Sequence, residues 1–410
     1  MRVAFPFATD EICLDVNDGC LVELRGGTAS PAIDDVAAAV AHAIENPIAF
    51  PALRQAIVPG DHVAIVLDGG IPQPADALGP VLECLTEAGV QRHDTWIIEV
   101  PRHAGLRNDL TPDGVPPGVR LGQHDPHDRN HLSYLASTKA GTRVYLNREV
   151  VDADLVVLVG RVDYDPILGF RGTASSLFPG LADAAAQQQF RSQISKPITT
   201  KSQLAARHES DEVAWLLGVQ FAVQFVVGRR NEVVKVFAGQ GLDVQREAQR
   251  SLDSYWKRTA PRRAELVIAV VSDDPNRQGF PELGAALASA AKLVEEGGRV
   301  VVLSAIDATP GTTLRCAQEL KDPMRVVEQV RRHPSEDAVS TWQIARTCQH
   351  ARVYLKSRLA DELVENLSMI PVASAAEAQR LVNQAASCAI LNDAQLVRVS
   401  VEGEDEKPTS

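Results

Sequence analysis

The 410-residue sequence has no window of the roughly 18 to 20 uncharged apolar residues that a bilayer crossing demands; Asp or Arg interrupts the nearest approaches, so no membrane span is expected. Its amino terminus, MRVAFPFATDEICLDV, lacks both the basic start and the apolar run of a secretory signal, which points to a cytoplasmic protein. Lys and Arg are scattered, and the net charge is -12 with a pI near 5.4. Without a cationic face to neutralise phosphate backbones, nucleic acid is not an expected partner. The six cysteines (Cys13, Cys20, Cys84, Cys316, Cys348, Cys388) include no CxxC pair and lie in apolar neighbourhoods, the pattern of reduced core thiols rather than disulfides or zinc ligands. No repeat recurs at a solenoid period, which removes stacked-repeat architectures.

What is present is an α/β grammar. With 45% hydrophobic residues the chain can bury two cores, because one core seldom grows past about 250 to 300 residues. Short β-branched runs at 62–67, 95–100, 154–159, 265–271 and 299–303 read as parallel strands buried on both faces. Between them, 33–44, 75–88, 282–296 and 374–386 space apolar residues by three and four, as helices do. Gly89 and the pair Gly297-Gly298 stand where helix C-caps are wanted. Strand, helix, glycine, strand is the order of right-handed βαβ units. The runs 220–228 and 231–239, separated by Arg229-Arg230, predict an antiparallel hairpin at the edge of the first domain. A polar amphipathic helix at 241–257 and a basic, proline-bearing stretch at 258–263 mark a domain boundary. The expected organisation is therefore two doubly wound, mostly parallel-sheet domains, 1–260 and 264–394, facing a central cleft. A strand at 395–401 would return to the first domain, and 402–410 would form a disordered tail.

Ligands of open parallel sheets bind at the carboxyl ends of strands, which singles out four segments. Asp68-Gly69-Gly70-Ile71-Pro72 opens a helix and could hold an anion on backbone amides; a plain strand-to-helix turn has the same composition. The glycine-rich loop 160–180, with Asp163, Asp165, Gly169, Arg171, Gly172, Ser175 and Ser176, has a composition that core packing does not explain, and is expected to line the cleft. It has no evident nucleophile–base pair. His124, His127 and His131 have metal-ligand spacing, but Pro126 and the surrounding Asp and Asn favour a surface loop. The fourth segment, 272–281, could face the cleft or simply cap a helix.

These loops resemble the lactate racemase family. The stretch 130–155, with Tyr134, Gly141, Thr142, Val144, Tyr145, Asn147 and Asp152, is similar to the segment before that family's cofactor loop. Residues 160–180 follow the loop itself without a gap, through Gly160, Gly169-Phe170, Gly172 and Pro179-Gly180. Residues 283–303 resemble the second-domain helix and following strand. The resemblance implies a fold of two α/β domains and racemisation of 2-hydroxy acids through a nickel-pincer nucleotide, with histidines as acid and base.

The chain departs from the family at the positions that carry this chemistry. The substrate-contacting arginine aligns with Ile71. The first acid–base histidine aligns with His103, the second with Asp165. Ser175 stands for the lysine that tethers the cofactor, and Arg191 for the histidine that ligates nickel. A glutamine and a lysine near the substrate become Phe280 and Leu287. Arginine has no lone pair to offer a metal. The resemblance, with these departures, implies a small-molecule ligand, anionic or nucleotide-like, held by Asp68, Gly69, Gly70, Gly169, Arg171, Gly172, Ser175 and Arg191, with Arg161 also suited to an anion. Lactate racemisation would be lost. Two alternatives are an active racemase or epimerase of another hydroxy acid, using His103 and Asp165 with an untethered cofactor, and a noncatalytic paralogue whose cleft is merely packed.

Overall fold

The structure, a computed structural model, describes residues 1–7, 10–28, 30–100, 110, 114–195, 199–272, 274 and 277–404. The chain opens on an antiparallel hairpin, β1 (Arg2–Phe7) and β2 (Asp10–Asp15). Next come α1 (Val36–Glu45), β3 (Val63–Asp68), α2 (Pro74–Glu87), β4 (Thr95–Val100), β5 (Arg120–Gln123), β6 (Leu132–Ser137), β7 (Arg143–Asn147), α3 (Arg148–Val151) and β8 (Leu155–Arg161). A small hairpin, β9 (Asp163–Asp165) and β10 (Gly169–Arg171), leads to α4 (Thr173–Leu177), α5 (Ala184–Ser192) and α6 (Thr200–Leu217). Then follow β11 (Phe221–Val227), β12 (Val233–Gln240) and α7 (Gly241–Trp256). The remainder is β13 (Lys257–Ala260), β14 (Ala264–Val270), α8 (Phe280–Leu293), β15 (Val294–Leu303), α9 (Thr312–Leu320), α10 (Pro323–Arg332), α11 (Ala338–His350), β16 (Arg352–Lys356), α12 (Asp361–Asn366), β17 (Ile370–Pro371), α13 (Ala375–Asn383), β18 (Cys388–Leu391) and β19 (Arg398–Val401).

Two compact units result: one comprises Ala29–Phe190 and Thr200–Leu252, the other Met1–Thr28, Arg191–Thr199 and Asp253–Ser410. In the first, a six-stranded sheet has the order β12-β11-β8-β3-β4-β5, parallel except for β12, whose antiparallel pairing with β11 is the expected edge hairpin. Side chains alternate across a strand, so each β-branched run feeds two cores. Val63, Ile65, Leu67, Val157, Val159, Val223 and Phe225 pack with α1 and α2 on one face. Ala64, Val66, Val156, Leu158 and Ala222 pack on the other with Leu146, Val150, Leu177, Val213 and Val244, which come from β7, α3, α4, α6 and α7. Helix α2 ends as the sequence predicts, with Gly89 at φ +97° donating its N–H to the Thr86 carbonyl at 3.1 Å.

The second unit is built on a parallel five-stranded sheet, β17-β16-β15-β14-β18. Its core includes Phe5, Ile12 and Leu14 of the amino-terminal hairpin, packed with Leu266, Ile268, Val301 and Val382. This differs from a first domain spanning 1–260: the hairpin's alternating apolar residues are buried on a sheet formed some 250 residues later, a pairing that leaves no local signal. Strand β19 does pair, in parallel, with β13, but both belong to this second unit. Residues 402–404, expected in a free tail, are tied down: Glu402 N–H reaches the Ala260 carbonyl at 2.9 Å and Glu404 pairs with Arg263 at 2.6 Å, while 405–410 lie outside the described residues. Helix α8 stops at Leu293, three residues before the expected end. Gly297 and Gly298 lie inside β15 rather than at a helix cap: Gly297 takes a φ of +73°, and a Cβ on Gly298 would come within 2.7 Å of the Glu265 carbonyl oxygen, a close strand approach.

Candidate functional site

In the first unit the chain runs β3-β4-β5 toward one edge of the sheet and β8-β11-β12 toward the other, so the order reverses between β3 and β8. In open parallel sheets the carboxyl ends of the strands at such a reversal are where ligands bind. Leu67 is opposite Val159, and Gly160 is opposite Gln224. Asp68, Gly160 and Gln224 thus form one row across three central strands, one step beyond the apolar row Val66, Leu158 and Ala222 and on the same face. Asp68 and Gln224 are both fully buried. Between them Gly160 admits close packing: a Cβ there would stand 3.2 Å from Asp68 Cβ and 3.3 Å from Thr173 Cγ2.

The segment leading into α4 covers this row. Arg171 donates from Nη2 to Asp68 Oδ1 at 3.2 Å, one partner of a carboxylate that would otherwise be costly to bury. A Cβ on Gly172 would lie 2.6 Å from Gln224 Nε2, so only glycine lets the backbone approach the amide this closely. Neither Oε1 nor Nε2 of Gln224 has a hydrogen-bond partner among the described residues. An apolar side chain buried at this position would contribute about 1.5–3 kcal/mol, whereas an unmatched buried amide costs about 1–3 kcal/mol. Ser176 Oγ, also buried, is likewise unmatched among the described residues, while Ser175 Oγ donates to the Gly172 carbonyl at 2.6 Å.

The other sequence candidates have structural occupations or lie elsewhere. Asp165 Oδ1 accepts the N–H groups of Ile167 and Leu168, both at 2.8 Å, closing the β9–β10 turn. Arg161 donates to Asp163 at 2.7 Å and to the Gly70 carbonyl and Asn231, each at 3.2 Å. Gly69 N–H bonds the Val100 carbonyl at 3.0 Å, and Gly70 and Gly169 adopt φ of +74° and +73°, where glycine is favoured. Arg191 lies in the second unit, where burial pulls its pKa down and Glu336 opposes the shift. Phe280 and Leu287 are buried side chains of α8. Ile71 is buried in the first unit's core. His103 lies outside the described residues.

The histidine segment is not uniformly at the surface. His124 is buried, and its Nε2 donates to the Ala182 carbonyl at 3.0 Å; burial lowers its pKa, against that bond and Asp125. His127 and His131 are exposed, and no group of three His, Cys, Asp or Glu side chains among the described residues is placed to hold a metal. Burial pushes the thiol of Cys84 up to about 11 and those of Cys348 and Cys388 to about 12. Cys13, expected in a core, is exposed on β2. A pocket of about 80 Å³ lined by His62, His93, Asp94, Trp96 and Arg120 opens at the amino ends of β3 and β4, away from the edge where parallel sheets bind ligands.

Sequence reasoning singled out Asp68, Arg171 and Gly172 but missed Gln224. The available signal was a lone glutamine inside the apolar run Phe221–Val227.

The polar row stands at the reversal point of an open parallel sheet, the position at which such folds commonly hold ligands. Residues 7–200 match the profile of the lactate racemase N-terminal domain family. That segment, somewhat under half of the chain, belongs to the lactate racemase N-terminal domain family. The chain's fold is similar to that of the lactate racemase apoprotein from Thermoanaerobacterium thermosaccharolyticum, with a TM-score of 0.83 and 18% identity over 98% of this chain and all of that one. A Thermotoga maritima crystal structure from a structural-genomics programme matches at a TM-score of 0.63 and 10% identity, covering 91% of this chain and all of the other. No curated protein gives a significant match. Among the described residues no helix is long and apolar enough to cross a membrane.

Proposed function

We propose that this chain is a diverged lactate racemase family protein that binds a small anionic or nucleotide-like ligand over the row Asp68–Gly160–Gln224 and does not racemise lactate. The observation that carries the reading is the row itself: buried polar side chains flank a glycine at the sheet's reversal point, under the backbone of Gly172. Core packing gives no reason to place an amide and a carboxylate there.

The residues do not fit the nickel-pincer nucleotide as the family resemblance would have it held. Ser175 has no amine for a covalent tether, and its hydroxyl is engaged by the Gly172 carbonyl. Arg191 has no lone pair for nickel. Employment of Asp165 in closing a turn gives that residue a structural reason to be present without acid–base work. Binding rather than hydride chemistry is therefore the function assigned to this site.

Calorimetric titration with AMP and with inorganic phosphate, alongside an assay for D- to L-lactate conversion, tests the reading. Binding of at least one probe without lactate conversion is the expected result. Conversion of lactate, or heat from neither probe, would overturn it.

A further inference from the structure

Gln224 occupies a position where valine or leucine would serve the fold better. Its neighbours on the same face of β11 and β8, Ala222 and Leu158, are apolar and buried, and its register partner Gly160 has no side chain to meet it. A carboxamide presents one acceptor and one donor pair in a fixed plane. Its complement is a planar, uncharged edge with donor and acceptor side by side. A carboxylate, which only accepts, would leave Gln224 Oε1 facing another acceptor and would join the buried Asp68 in the same row. Asp68 thus disfavours a hydroxy acid's carboxylate here and leaves a neutral edge acceptable.

We propose that Gln224 is the specificity-determining contact of the site, reading the donor–acceptor edge of a nucleotide base, with the hydroxyl of Ser176 as a further polar group. This rests on the nucleotide-like reading above and narrows it. Binding an amide-type edge would supply the partners that Gln224 lacks among the described residues, so the energy lost by burying it in the free protein returns in the complex.

The test uses Gln224→Met on the full chain, a near-isosteric change that removes both amide groups. The first readout is thermal unfolding without ligand. Relief of the unmatched amide should raise Tm by about 2–4 °C; a fall would mean the amide is bonded within the fold, which overturns the proposal. The second compares AMP with purine riboside 5′-monophosphate, which keeps the sugar-phosphate and lacks the exocyclic amine. The wild-type chain should prefer AMP by about tenfold, the effect of one matched polar pair. Gln224→Met should abolish that preference, weakening AMP more than purine riboside 5′-monophosphate, which lacks the exocyclic amine but keeps the ring nitrogen that accepts from the amide. Equal affinity of the wild-type chain for the two nucleotides overturns the role of Gln224 while the nucleotide-like site stands. Binding of neither nucleotide overturns the nucleotide-like reading and this inference with it.

Discussion

Both sheets end in polar residues at their carboxyl edges, and they treat them differently. In the five-stranded sheet the polar groups answer one another. Ser304 Oγ donates to Gln278 Oε1 at 2.8 Å, Gln278 Nε2 donates to the Ser272 carbonyl, and Ser272 N–H reaches Gln395 Oε1 at 3.2 Å. Of these glutamines only Gln395 Nε2 is unmatched among the described residues. In the six-stranded sheet Gln224, beneath a glycine, is unmatched at both amide atoms among the described residues. A closed polar network rigidifies a loop, whereas an open one stores binding capacity at the expense of stability. The same residue type thus closes a network in one unit and, on the proposal above, awaits a ligand in the other.

Substitutions can break that contrast, and the largest effect is expected at the ion pair over the open row. Arg171→Met removes a cationic partner from the fully buried Asp68 and should cost about 3 kcal/mol in urea unfolding; no loss would mean that other contacts alone hold Asp68. Gly180→Ala should cost about 2 kcal/mol, because the new Cβ would meet the Ser176 carbonyl oxygen at 2.1 Å and Val100 Cγ1 at 2.8 Å. A stability within a few tenths of wild type would show that the backbone around α4 yields. Gln278→Met, which removes the acceptor of the Ser304 hydroxyl and the donor to the Ser272 carbonyl, should lower stability by about 1–2 kcal/mol, opposite in sign to Gln224→Met. The same sign for both changes would erase the distinction between the sheets.

The smallest effect concerns Asp211 on α6. Burial raises its pKa despite the opposing charges of Arg207, His208 and Arg246. The folded chain therefore holds this proton more tightly than the unfolded one. The associated stability is fully present below the unfolded value and fades as pH rises through the folded one. Asp211→Asn should accordingly raise Tm by about 1–2 °C at pH 7 and by less at pH 4. A larger gain at pH 4 would reverse the assigned direction.

Much of the scaffold was legible because strands buried on both faces must be β-branched runs, and because Gly89 marks a helix end that needs positive φ. The hairpin β11–β12 was readable for the same local reasons. What escaped depends on register between distant segments. Asp68, Gly160 and Gln224 lie 92 and 64 residues apart in sequence, and only the pairing of β3, β8 and β11 aligns them. Membership of β1 and β2 in the second unit is likewise set by a sheet formed far downstream. The loop 160–180 has a composition unlike core sequence, yet Asp165 and Arg161 hold its shape, and Leu177 and Phe178 belong to the core. Loop composition alone does not separate residues that build a loop from those left open within it.

The central claim is that a lactate racemase fold persists here without the groups that retain nickel. Metal analysis of the full chain, coexpressed with the enzymes that synthesise the nickel-pincer nucleotide, tests it most directly. The predicted result is nickel far below one atom per chain; a stoichiometric, co-purifying nickel would contradict the account.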